Sequence, residues 1–317
     1  MKKQGNYFLI LLPIFLIAAG TVLAGPAQII SECGTSITDP GKYKVGNNLA
    51  CPPGEMGVKI LASDVMLDLG GHTISCDTPE RSGVIVGDGG DPEVFSNVRV
   101  SNGAVSGCGV GVLMWFTDGA RITKMTLIEN FESGITLVEA ENNVIRKNLF
   151  EGGFWAIVSF AGSGNWFGHN TYRHSFVGID LYAETDSRIT CNAANENFYA
   201  FGLGPLGPTP SSGNLVRGNQ FTNGALGMGL IGVGEPPDYL EEPMSTGNLV
   251  HANVATGNWL DVTESIYSYT LDDFFLLPDA ECENLWKNNM FGTQYGPENC
   301  IGSPVVLEDV CAEEDDD

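Results

Sequence analysis

The chain has 317 residues, a formal net charge of −24, 41 glycines and only 17% charged residues. Its acidity comes from a scarcity of Lys and Arg, which argues against nucleic acid or an anionic membrane surface as a partner. Polyanionic polysaccharides are disfavoured too, unless a bound cation or a local basic patch intervenes.

Residues 1–24 read as a signal peptide. Lys2 and Lys3 supply the positive start, Tyr7 to Ala19 the apolar run, and Val22, Leu23 and Ala24 a cleavage site. The run falls short of the roughly 20 residues that a spanning helix needs. The mature chain is therefore expected to be secreted, periplasmic or cell-surface, without a transmembrane span. Export makes the eight cysteines candidates for bridges. Cys33–Cys51 closes a short loop ahead of the repeats, and Cys282 is expected to pair with Cys300 or Cys311. No C-x-x-C spacing occurs and the histidines are not grouped with cysteines, so no zinc or other metal site is expected.

After an N-terminal cap at 25–51, the chain repeats at about 22 residues. Asn148, Asn170, Asn192, Asn219, Asn253 and Asn289 form one column, continued backwards by Met125 and Gly103. A first Asn stands five positions ahead in most units (Asn143, Asn165, Asn214, Asn248 and Asn284), with Ser187 replacing it once. Three residues before the main column lie Val100, Ile122, Ile145, Phe167, Ile189, Val216, Val250 and Trp286. Two residues after it lie Val105, Leu127, Phe150, Tyr172, Ala194, Phe221, Ala255 and Phe291. Such a unit cannot bury its own apolar side, but stacked units bury a continuous interior with parallel strands ~4.8 Å apart. The turn Asn is expected to tolerate left-handed backbone and to hydrogen-bond along the stack.

A second strand follows in each unit, with Ile135, Ile179, Leu181 and Met228 inside and Thr136, Val158, Asp180 and Gly229 outside by period-two alternation. The expected fold is all-β: a single right-handed parallel β-helix over 52–292, of about 9–10 coils. Insertions are placed at 77–95, 205–212, 234–246 and 257–283, and a C-terminal cap with an acidic tail at 293–317.

The opening segments Cys33-Gly-Thr-Ser-Ile-Thr-Asp-Pro-Gly-Lys-Tyr43, Leu49-Ala-Cys51 and Val65-Met-Leu-Asp-Leu-Gly-Gly-His-Thr-Ile74 resemble those of secreted right-handed β-helix proteins. These form the parallel β-helix repeat family of the pectin-lyase-like superfamily, which includes the β-helix domain of periplasmic copper-delivery accessory proteins. The resemblance runs from about residue 33 to 292 and implies the fold. It implies no single activity, because lyases, hydrolases, epimerases, adhesins and chaperone-like proteins share the scaffold. The paired-aspartate and Gly-His-Gly signatures of polygalacturonases are missing, as are the pectate-lyase and alginate-epimerase elements. Asp272 and Asp273 fall in an insertion and match no coil position.

One constellation could carry chemistry. Glu151, Arg173 and Asn195 share a column, as do Gly152, His174 and Glu196, and Asp180 and Tyr182 point outward from the next strand. A His beside a carboxylate, with Arg and Tyr close by, suits proton abstraction next to a sugar carboxylate. On that reading His174, Arg173, Asp180, Tyr182 and Glu196 are catalytic, in a lyase or epimerase rather than a hydrolase. The bland alternative is a ladder of surface ion pairs, each worth ~0–1 kcal/mol. An outward column of Trp115, Val138, Phe160 and Tyr182 suits stacking on sugar rings. Its bland alternative is a satellite core covered by the 257–283 excursion. Tyr172, in a column with Phe150 and Phe221, is read as core. His72, His169 and His251 are read as structural. No cofactor is established; carboxylates and loop carbonyls could hold calcium, but no twelve-residue calcium loop is present. The expectation is binding, with or without modification, of an extended polysaccharide or cell-surface glycan. A non-enzymatic envelope protein and a periplasmic copper-accessory protein are the alternatives.

Overall fold

The computed structural model describes residues 25–90, 93–234, 245–269, 274–278, 284–295, 301 and 311. The expected signal peptide, Cys282, Cys300, Asp272, Asp273 and the acidic end lie outside them. Among the described residues no helix is long and apolar enough to cross a membrane.

The chain is a parallel β-helix with two long sheets. A third, narrow side starts with the pair Phe95–Ser96 and Thr117–Asp118 and continues as single bridges from Asp118 through Glu141, Ser163 and Thr185 to Ser212 and Thr246. The apolar columns stack in the expected register: Ile122, Ile145, Phe167 and Ile189 follow one another coil by coil, as do Leu127, Phe150, Tyr172 and Ala194. All are buried, Tyr172 included, so the interior is continuous from coil to coil.

The Asn column is a buried ladder. Each backbone N–H in it donates to the side-chain oxygen of the Asn one coil on, from Asn148 to Asn170 (3.0 Å) through Asn253 to Asn289 (2.9 Å). Each amide nitrogen donates back, as Asn170 does to the Ile145 carbonyl (2.8 Å). The first-Asn column builds a second ladder of the same kind, with Ser187 Oγ filling its gap. One expectation is corrected here. The left-handed residue of the turn is the one before the ladder Asn, as at Lys147, His169, Cys191 and Ala252. The Asn is required for its amide, which satisfies backbone groups that the turn strips from the regular ladder.

Several expected boundaries also shift. The stretch 25–51 is itself solenoid, because Gln28–Ile30 and Gly41–Val45 pair in parallel in the first sheet. Within 77–95, Val84–Val86 is a rung of the second sheet. Within 257–283, Leu260–Tyr269 continues that sheet and then turns back antiparallel through Phe274–Pro278. Three described disulfides join Cys33 to Cys51, Cys76 to Cys108 and Cys191 to Cys311. The last excludes Cys311 as a partner for Cys282: Cys311 lies beside Cys191, a proximity that sequence spacing does not encode.

Candidate functional site

The outward face of the second sheet carries the candidate site. Its strands Ser133–Val138, Trp155–Phe160, Val177–Tyr182 and Tyr199–Gly204 lie side by side. Ile135, Ile179, Leu181 and Met228 are fully buried inside, following the alternation. The outward positions Thr136, Val158 and Asp180 nevertheless retain only 6%, 2% and 6% exposure.

Two aromatic walls account for that burial. One is Trp115, Val138, Phe160 and Tyr182, all half-buried, with the Phe160 and Tyr182 rings stacked at 5.4 Å and 10°. The other is formed by Trp155 and Tyr199, which share a register column with Ser133 and Val177. Strict alternation would point this second wall inward, because Ile157 and Phe201 two positions on face the core. A column of small residues (Gly134, Ala156, Gly178 and Ala200) breaks the phase. A Cβ at Gly134 would lie 2.5 Å from the Phe150 ring, and one at Gly178 would lie 2.4 Å from the Ala200 carbonyl oxygen. The chain turns inward at these positions, and the residue before each turns out.

Asp180 sits on the floor between the walls. The Tyr182 hydroxyl donates to its Oδ2 at 2.6 Å. Its Oδ1 leans over Gly202, where a Cβ would be 2.4 Å from that oxygen and 2.5 Å from the Tyr199 hydroxyl. Burial pushes the Asp180 carboxyl up to about 6, and the Tyr182 hydrogen bond acts in the opposite sense. The buried Trp155 indole N–H faces the same carboxyl and, like Tyr182, lowers its pKa.

His174 forms a separate group at the turn that leaves Thr171–Arg173. Nδ1 is 2.6 Å from Glu151 Oε1, and Nε2 is 2.7 Å from Glu196 Oε2. The hydrogen bonds to Glu151 and Glu196 raise its pKa, and His174 in turn lowers that of Glu196. With both ring nitrogens committed, it is poorly placed to move a proton. Arg173 is exposed and lies in register between Glu151 and Asn195. The structure thus pairs Asp180 with Tyr182 mid-strand, and His174 with Glu196 at the turn.

Two features escape a reading of the sequence. Glu184 is fully buried, and its carboxylate accepts from Ser159 (2.6 Å), Asn165 (2.7 Å) and Ser187 (2.6 Å). Burial raises its pKa against the pull of those hydrogen bonds. Phe154, Phe176 and Phe198 form an exposed stack with centroids 4.9 and 4.7 Å apart. Phe154 meets Trp155 edge-on at 4.4 Å, so the stack extends the second aromatic wall outward. Their recurrence at the repeat length was the available signal.

The two parallel sheets and their stacked coils place the chain among parallel β-helix proteins. More specifically, it belongs to the family described as periplasmic copper-binding protein (NosD), whose model matches residues 86–259. No curated protein sequence matches the chain. Among solved structures, the Dettilon tailspike protein is similar at 14% identity and a TM-score of 0.57, covering 85% of this chain and 60% of that one. The catalytic domain of a GH87 alpha-1,3-glucanase in complex with nigerose gives 11%, 0.58, 85% and 59% in the same order. A mutant of the periplasmic alginate epimerase AlgG gives 13%, 0.52, 85% and 74%. The chain spans about three-fifths of the tailspike and glucanase chains. At these identities the likeness is one of fold.

Copper does not fit the described residues. No group of three or more His, Cys, Asp or Glu side chains among them is arranged to hold a metal. His174 is bound by carboxylates on both sides, and His169 and His251 sit in different columns on separate coils. The six described cysteines are all in disulfides.

Proposed function

We propose that the chain is an exported, periplasmic β-helix that binds an extended saccharide along the outward face of its second sheet and does not turn it over. The observation that carries this reading is Asp180, an outward carboxylate held between two aromatic walls with the Tyr182 hydroxyl on one oxygen. Aromatic faces with a few fixed polar groups are what a sugar ring requires, apolar on its C–H face and hydrogen-bonding at its rim. A rigid column of such positions matches a repeating polymer.

Chemistry beyond binding is poorly supplied. Glycoside hydrolysis uses two carboxyl groups about 5–9.5 Å apart across the scissile bond. The described strands from Val84–Val86 to Leu226–Gly234 carry Asp180 alone, and the neighbouring Glu184 is consumed inside the core. Lyase or epimerase chemistry needs a base and a cation for the substrate carboxylate, and His174 has no free nitrogen.

The test is retention on a glycan array and titration calorimetry, with the wild type and a Trp115→Ala/Tyr182→Ala variant. The wild type should bind a polysaccharide, and the double variant should lose binding while its thermal unfolding stays cooperative. Failure of the wild type to retain any glycan refutes the reading. A released reducing end or unsaturated product would refute its non-catalytic part.

The family description supports a second reading, copper binding. Metal analysis of the purified chain decides it. Stoichiometric copper that survives His174→Ala would point to donors other than the His174 group, and absence of copper would remove the reading.

A further inference from the structure

The ligand's charge can be read from where the cations are. From Val84–Val86 to Leu260–Tyr269 the described second-sheet strands contain no Lys, Arg or His. The first sheet over the same coils carries Arg99, Arg121, Lys124, Arg146, Arg173, Arg188 and Arg217. Turns flanking the second sheet add carboxylates: Glu139, Glu141 and Asp186 on one side, Glu129, Glu132 and Glu196 on the other. His174 does not offset these, because its two ring nitrogens are shared between Glu151 and Glu196.

Resting on the saccharide reading above, we propose that the groove takes a neutral, hydroxyl-rich hexopyranose chain and rejects uronates. A uronate carboxylate brought to this floor would meet Asp180 with no cation to offset it, which costs both desolvation and like-charge repulsion. A neutral sugar offers what the site lacks. Its hydroxyls donate to Asp180 Oδ1, the oxygen opposite the one Tyr182 occupies. Tyr199 places its hydroxyl beside the same oxygen of Asp180 and so helps to position it.

The experiment compares neutral gluco-oligosaccharides of several linkages with oligogalacturonate and oligomannuronate, by calorimetry at neutral pH and moderate salt. The full chain is used as wild type, Asp180→Asn and Tyr199→Phe. The expected result is at least a tenfold preference of the wild type for a neutral series. Asp180→Asn should weaken that series about tenfold, the loss of a hydrogen bond to a charged group. Tyr199→Phe, which keeps the ring packing, should weaken it severalfold, and it keeps the test decisive if Asp180→Asn does not fold. Uronates binding as tightly as neutral chains would overturn the proposal and leave the saccharide reading intact. So would neutral binding unchanged in both variants. If no saccharide of either kind binds, the groove reading fails and the proposal with it.

Discussion

The Asn170→Ala substitution tests the ladder directly. Asn170 is fully buried, and its side chain makes four hydrogen bonds. Its oxygen accepts from the Asn148 backbone N–H (3.0 Å) and the Asn148 amide (3.1 Å). Its nitrogen donates to the Ile145 carbonyl (2.8 Å) and to Asn192 Oδ1 (3.1 Å). After truncation the Asn148 amide keeps the Ile122 carbonyl, and Asn192 Oδ1 keeps the Asn170 backbone N–H and the Tyr172 hydroxyl. Two backbone groups, the Asn148 N–H and the Ile145 carbonyl, lose these partners in the interior. At ~1–3 kcal/mol for each unmet buried group, the loss is ~2–6 kcal/mol. Urea unfolding with an unchanged slope is the assay. Gln220→Ala, at an exposed position two coils on, is the control and should stay within ~0.5 kcal/mol. If Asn170→Ala costs less than ~1 kcal/mol, the ladder does not hold the coils together through buried polar satisfaction, and the account of why Asn recurs is wrong.

Glu184 has its pKa raised by burial. Its contribution to stability is therefore complete below the unfolded-state value and lost as pH rises through the folded one. Glu184→Gln should gain on the wild type in thermal midpoint from pH 4 to pH 8, whereas a flat difference would mean the carboxyl is not penalised. His174 should titrate above 6.5 by NMR and fall back towards that value when both Glu151 and Glu196 are changed to Gln. Its contribution, being that of a raised histidine, is lost as pH rises through the folded pKa. Phe176→Ala removes two ring stacks and should cost ~1–3 kcal/mol in urea unfolding despite 46% exposure. Phe198→Ala, with one neighbouring ring in the stack, should cost about half as much.

What was legible from the sequence was whatever repeats once per coil. The apolar columns through Ile145 and Phe150 and the Asn column through Asn170 are set by a physical demand that every coil shares, so their register could be counted. The left-handed site was misplaced by one residue because Asn is the usual tenant of such turns, whereas here Lys147, Ala252 and Cys191 occupy it. The burial of Asp180 was not legible. It depends on Trp155 and Tyr199 facing out, and they do so because Gly134, Ala156, Gly178 and Ala200 break a period that alternation treats as unbroken. Clashes with a backbone carbonyl or a core ring are tertiary facts, invisible in a hydropathy pattern.

The unequal faces sharpen what those outward positions mean. Interior columns are constrained by packing and the polar ladders by hydrogen bonding, so neither can vary with the ligand. Both sheets turn alternate side chains outward, and structural needs alone would scatter cations over both. On the first sheet the cations have structural employment: the Arg146 guanidinium lies 3.7 Å over the Trp166 ring, and Arg173 stands in register with Glu151. Among the described residues the second-sheet strands over the same coils carry no cation, yet they keep a carboxylate without a counter-charge between two rows of aromatic side chains. An uncompensated buried charge is costly to maintain, and Asp180→Asn is the substitution that would relieve that cost. That variant should therefore be at least as stable as the wild type above pH 6, where the carboxyl ionises, and should lose only binding. A stability loss at that pH, measured by thermal unfolding, would make Asp180 a structural residue and remove the ground for placing a site there.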